Sequence, residues 1–127
     1  MSLDLIFWRG VTSESPGDVI KRFSRDEAVE GAELLDRAQV VDAFGEVFEG
    51  QIRIRTGSAD VGDCLQGPMW EFSVREPLRC LWVRCAWRIV EHPELLKKLD
   101  VAGRSRLGCQ LYDPQSSKFY PARPRDA

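Results

Sequence analysis

The amino-acid sequence predicts an α+β fold: a two-layer sandwich in which a mixed, mostly antiparallel sheet carries packed helices. Three observations lead there. Short segments through the middle of the chain alternate apolar and polar residues, the period of strands with one buried face. Stretches on either side place apolar residues at steps of three and four behind helix-start signals. Alternating strands joined by turns pair as an antiparallel meander, while the two helical connections are long enough for crossovers. The expected order is β-α-α-β-β-β-α-β.

The elements follow in turn. Leu3, Leu5 and Phe7 lie on one side of the opening segment and Ile6 and Trp8 on the other, so it reads as a strand from the middle of the sheet. Ser15-Pro16-Gly17-Asp18 reads as an N-cap followed by proline at the first helical position. The short helix behind it buries Val19, Ile20 and Phe23. Ser24-Arg25-Asp26-Glu27 has capping-box spacing, but Gly31 interrupts it, leaving a helical turn or loop. Asp36 caps a helix to about Phe48, with an inner stripe of Ala38, Val41, Phe44 and Phe48 and a C′ glycine at Gly50.

Ile52 and Ile54 then alternate with Gln51, Arg53 and Arg55. A polar loop spans Thr56 to Pro68. Trp70, Phe72 and Val74 alternate with Glu71, Ser73 and Arg75, and Glu76-Pro77 makes a turn. A long strand runs from Leu78 to about Val90, with Leu81, Val83, Cys85, Trp87 and Ile89 inside. His92-Pro93 opens the last helix, whose inner stripe is Leu95, Leu96, Leu99 and Ala102, while Lys97, Lys98, Arg104 and Arg106 face water. Gly108 ends it. Cys109 to Tyr112 form a buried strand, with a hairpin back through Lys118-Phe119-Tyr120. Residues 1–120 make one globular domain, and the proline-rich, charged tail 121–127 is expected to fray.

A chain of 127 residues buries roughly two-thirds of its unfolded surface. Its apolar runs are only a few residues long, too short to span a membrane or to serve as a signal peptide, which suggests a cytoplasmic protein. Four cysteines invite a disulfide reading. However, Cys80 and Cys85 would face opposite sides of one strand, and three of the four sit in apolar strands as small hydrophobes. Without a Cys-x-x-Cys, and with one histidine, zinc is disfavoured. No cofactor is expected.

The net charge of −2 conceals an asymmetry. Residues 1–63 carry 13 acids and 7 bases, whereas residues 64–127 carry 7 acids and 11 bases. An acidic half disfavours nucleic acid and suits a basic protein partner. His92, before a proline at a helix start, reads as a surface or capping residue rather than a general base. The paired acids Asp60 with Asp63 and Glu46 with Glu49 lie in polar surroundings, without the apolar walls that raise a catalytic carboxyl pKa. They read as partner contacts. Tryptophans 8, 70, 82 and 87 among arginines suggest a nucleic-acid platform, but their register with aliphatic residues is that of a core. Trp82 is the exception: it shares a strand face with Arg84, as an interface anchor would.

The two ends carry one further signal. Asp4-Leu5-Ile6-Phe7-Trp8 and Gly108-Cys109-Gln110-Leu111-Tyr112-Asp113-Pro114-Gln115 resemble the D-L-x-F-W start and G-C-x-L-Y-D-P-Q end of small bacterial proteins. Some of these look like immunity proteins of interbacterial toxin systems. The resemblance implies a non-enzymatic protein that binds and neutralises a cognate, basic toxin domain. The acidic residues outside the motifs, Asp42, Glu46, Glu49, Asp60 and Asp63, are the expected contacts, with Trp82. The alternatives are an adaptor or regulatory protein-binding domain, or a small enzyme using surface carboxylates. Neither a nucleic acid nor a membrane is an expected partner, and the oligomeric state is left open.

Overall fold

A computed structural model describes residues 2–123. It is an α+β sandwich of sheet and packed helices. Strand β1 (Ser2–Trp8) leads into helix α1 (Pro16–Ser24) and helix α2 (Arg37–Val47). Four strands follow: β2 (Arg53–Arg55), β3 (Cys64–Gly67), β4 (Trp70–Ser73) and β5 (Leu81–Ala86). A 3-10 turn, Trp87–Glu91, precedes helix α3 (Pro93–Asp100), which widens into a π-helical turn over Val101–Arg106. Strands β6 (Gln110–Asp113) and β7 (Lys118–Tyr120) complete the sheet.

The seven strands lie in the order β2-β3-β4-β5-β1-β6-β7, and every pairing is antiparallel. Because β5 and β6 are each antiparallel to β1, they are parallel to one another with β1 between them. The chain through α3 is therefore a crossover over β1. Alternation along β1 gives each face its own core. Leu3, Leu5 and Phe7 join the larger cluster with α2 and α3, while Ile6 and Trp8 join Val19 and Phe23 of α1 and Val29 beyond it. Helix α1 thus covers the opposite face from α2 and α3, adding a partial third layer over the centre of the sheet.

Local signals set the helix starts. The Ser15 hydroxyl accepts the Asp18 N–H at 3.4 Å with Pro16 next in sequence, and the Asp36 carboxylate accepts the Ala38 N–H at 3.3 Å. The capping box at Ser24 does not form, because the Ser24 hydroxyl donates backwards to the Lys21 carbonyl at 2.7 Å. Helix α2 is rotated from the expected stripe. Val40, Ala43 and Phe44 are its buried residues, with Phe48 at the cap, while Ala38 is exposed and Val41 half-buried. An aromatic cluster selects that face. Phe44 lies 5.3 Å from Trp70 and 5.0 Å from Phe72, and Phe48 lies 5.0 Å from Trp70. Pairs of this kind contribute about 0.5–1.5 kcal/mol each beyond their buried area.

Three further expectations change. The polar loop contains a strand, β3, turned back on β4 by Pro68 and Met69, the latter at φ 68. The long strand expected to reach Val90 stops at Ala86, where the chain winds into the 3-10 turn and buries Ile89 in the larger core. Trp87 leaves the sheet at 46% exposure, and Ile54 on edge strand β2 is also exposed. Arg104 is drawn in rather than facing water. It donates to Asp100 at 2.9 Å and to the Pro121 carbonyl at 2.9 and 2.8 Å, and it lies over the Tyr120 ring. Asp100 also holds Arg123 at 2.5 Å. Residues 124–127 of the expected frayed tail lie outside the described residues. No helix among the described residues is long and apolar enough to cross a membrane.

The two terminal motifs meet. Continuing the β1–β6 register past Ile6 and Tyr112 would set Asp4 opposite Pro114, which has no N–H to donate. The Gln115 side chain substitutes. Its Oε1 accepts the Asp4 N–H at 2.9 Å and its Nε2 donates to the Asp4 carbonyl at 2.9 Å. Asp113 orients it by accepting the Gln115 N–H at 3.0 Å and the Ser116 hydroxyl at 3.0 Å. The Asp-Pro-Gln sequence is therefore a clamp that extends the sheet by one side-chain rung.

Candidate interaction groove

Helix α1 packs on Ile6 and Trp8 and stops short of β2, β3 and β4, whose faces on that side carry no helix among the described residues. Trp70 and Phe72 of β4, like Leu81, Val83 and Cys85 of β5, point into the larger core. Glu71, Ser73, Trp82 and Arg84 therefore point to the uncovered face. Cross-strand registry aligns Arg53, Gln66, Glu71, Arg84 and Asp4 in one row across five strands, and Arg55, Cys64 and Ser73 in the next.

Arg55, Cys64, Glu71, Ser73 and Arg84 of these rows, with Trp82, form the floor of a groove of about 610 Å³. Its walls are the end of α1 at Phe23, the segment through Glu76 and Pro77, and the loop at Asp60 and Val61. That loop is held down. Ser73 donates its hydroxyl to the Val61 carbonyl at 3.2 Å, the Arg75 guanidinium donates to the Asp60 carbonyl, and Gly62 lies where a Cβ would meet the Arg75 side chain. Trp82 is half-buried, opposite Ile6 on β1, and packs against the smaller core.

The groove is electrically balanced. Arg55, Arg75, Arg79 and Arg84 face Asp26, Asp60, Glu71 and Glu76. Arg55 pairs with Glu71 at 2.8 Å and Arg79 with Asp26 at 3.8 Å. Arg84 makes no ion pair with a described residue, although Asp4 lies beside it across the strand with Oδ1 buried and unbonded. The Cys80 thiol, at the groove wall, is pushed up to about 12 by burial and then by the charge of Asp26. It stays protonated at neutral pH and is a poor nucleophile. Among the described residues, no three His, Cys, Asp or Glu side chains converge as metal ligands would. His92 sits at the start of α3 with Nδ1 3.3 Å from Glu94, away from the groove.

Of the residues expected to bind a partner, the structure brings Asp60 and Trp82 together in the groove. Asp42, Glu46 and Glu49 are exposed on or just after α2, which packs on the other face. Glu46 is bound by Arg106 at 2.5 Å, and Asp63 by Arg37 at 3.3 Å. Arg55 and Arg84 were legible in sequence as polar residues alternating along strands, but only strand order places them on one floor. No protein-family model, curated protein or solved structure matches this chain.

Proposed function

We propose that this chain is a non-enzymatic protein-binding domain, an immunity-like protein that holds a cognate toxin domain in the open groove of its sheet. The observation that carries the reading is Trp82, half-sunk in a groove floor and ringed by arginines and carboxylates. Tryptophan and arginine are the residues that most often dominate binding energy at protein interfaces. The balanced charge calls for a partner with both signs. Basic groups of the partner meet exposed Asp60 and Glu76, and an acid meets Arg84. Binding suits these groups better than catalysis, since most of the guanidiniums are committed to carboxylates or a carbonyl and the Cys80 thiol is kept neutral. The toxin as partner rests on the resemblance of the two chain ends, which serve here as scaffold.

The test is co-expression with the product of the gene immediately upstream, reading growth. Relief of growth inhibition by the wild-type chain but not by Trp82→Ala, with Asp42→Lys behaving as wild type, supports the reading. A hot-spot truncation of this kind costs about 2 kcal/mol or more, roughly 30-fold in affinity. Equal relief by a folded Trp82→Ala variant removes the groove, and no relief by the wild-type chain removes the toxin.

A further inference from the structure

The sheet has two open edges, and they are not equivalent. Strand β7 runs directly into Pro121, which lacks an N–H and whose carbonyl is held by Arg104 at 2.9 and 2.8 Å. Strand β2 has no such continuation. Arg53, Ile54 and Arg55 are all exposed, β2 pairs with β3 on one side only, and no strand among the described residues lies beyond it. Its side chains are sorted by the pleat: Arg55 lines the groove, Arg53 shares that face, and Ile54 points to the other at 44% exposure.

We infer that β2 receives an extended segment of the partner as an eighth strand, with acidic residues opposite Arg53 and Arg55 and an apolar residue opposite Ile54. The inference rests on the protein-binding reading and names how the partner enters the groove. Main-chain bonds to an edge strand supply affinity, and alternate side chains supply selectivity. Charge chooses the occupant. The Arg53 guanidinium donates to the neutral Gln66 amide at 2.9 Å and keeps its full charge, whereas Arg55 is shared with Glu71. A second copy of this chain would bring arginines opposite arginines, which destabilises a cross-strand pair. An acid–apolar–acid strand meets no such penalty, and its acidic side chains fall on the groove face.

The probe is a synthetic peptide alternating glutamate and valine, titrated at millimolar concentration against the labelled full chain. The readout is the backbone amide shifts of residues 52–56. Shifts confined to that segment are expected. They should disappear when alternate peptide nitrogens are methylated, which removes strand donors and leaves the charge intact. Arg53→Glu, an exposed change, should lose the acidic peptide and respond to its lysine counterpart. Absence of shifts overturns the inference, as does an equal response to the methylated or the lysine peptide in the wild-type chain. Those failures leave the groove reading standing, because Trp82→Ala tests it separately.

Discussion

Removing the Gln115 side chain should loosen the chain's two ends together. Gln115 makes two bonds of 2.9 Å to the backbone of Asp4, where the register offers Pro114 in place of a donor. A net intramolecular hydrogen bond contributes about 0.5–1.5 kcal/mol. Gln115 is exposed, so water replaces part of what is lost. Gln115→Ala should therefore cost about 1–2 kcal/mol. For a chain of this size that lowers Tm by roughly 4–7 °C. The urea midpoint should fall with the slope unchanged, and the Asp4 amide should exchange faster. Gln115→Glu should cost more at pH 7, about 2–3 kcal/mol. It keeps an acceptor for the Asp4 N–H, but it loses the donor to the Asp4 carbonyl and sets a second carboxylate against Asp113, now 2.5 Å from the amide nitrogen. That extra deficit should shrink as pH falls through the usual glutamate range near ~4.3, where a protonated carboxyl donates again. A Gln115→Ala variant within about 0.3 kcal/mol of wild type, with Asp4 exchange unaltered, would refute the clamp.

Two further expectations come from packing and burial. A Cβ at Gly103, in the π-helical turn, would enter the Phe7 ring, so Gly103→Ala should cost about 2–3 kcal/mol in urea unfolding. Gly17 of α1 has open space around it, and Gly17→Ala should stabilise by about 0.5 kcal/mol. The thiols of Cys80, Cys85 and Cys109 are pushed up to about 12 from 9.0, chiefly by burial. At pH 8 their thiolate fraction is then about a thousand-fold below that of a free thiol, and iodoacetamide should label them only after unfolding. Because the folded thiols bind protons more tightly than the unfolded ones, stability is intact below pH ~9 and declines towards pH ~12, by up to about 1.4 kcal/mol per thiol per pH unit. A urea midpoint unchanged between pH 8 and pH 10 would contradict that burial.

The local signals were legible in the sequence because they act over a few residues. Ser15 with Pro16 and Asp36 start helices where their caps stand, and the alternation through Trp70 and Phe72 marks a strand. The α+β class and the resting of helices on a sheet follow from those periods alone. Tertiary structure decided the rest. Cys64 to Gly67 is a strand because β4 and β2 flank it, and β5 ends at Ala86 where the chain winds into a 3-10 turn that buries Ile89 in the larger core. The aromatic cluster, rather than helical spacing, turned α2 onto Val40 and Phe44. Asp60 and Trp82 share a groove, while the α2 acids lie on the other face, because strand order sets which side chains become neighbours. The period of a strand says that Trp82 and Arg84 share a face. Only the packing of α1, which covers the centre of that face and leaves β2 to β4 bare, makes that face a place to bind.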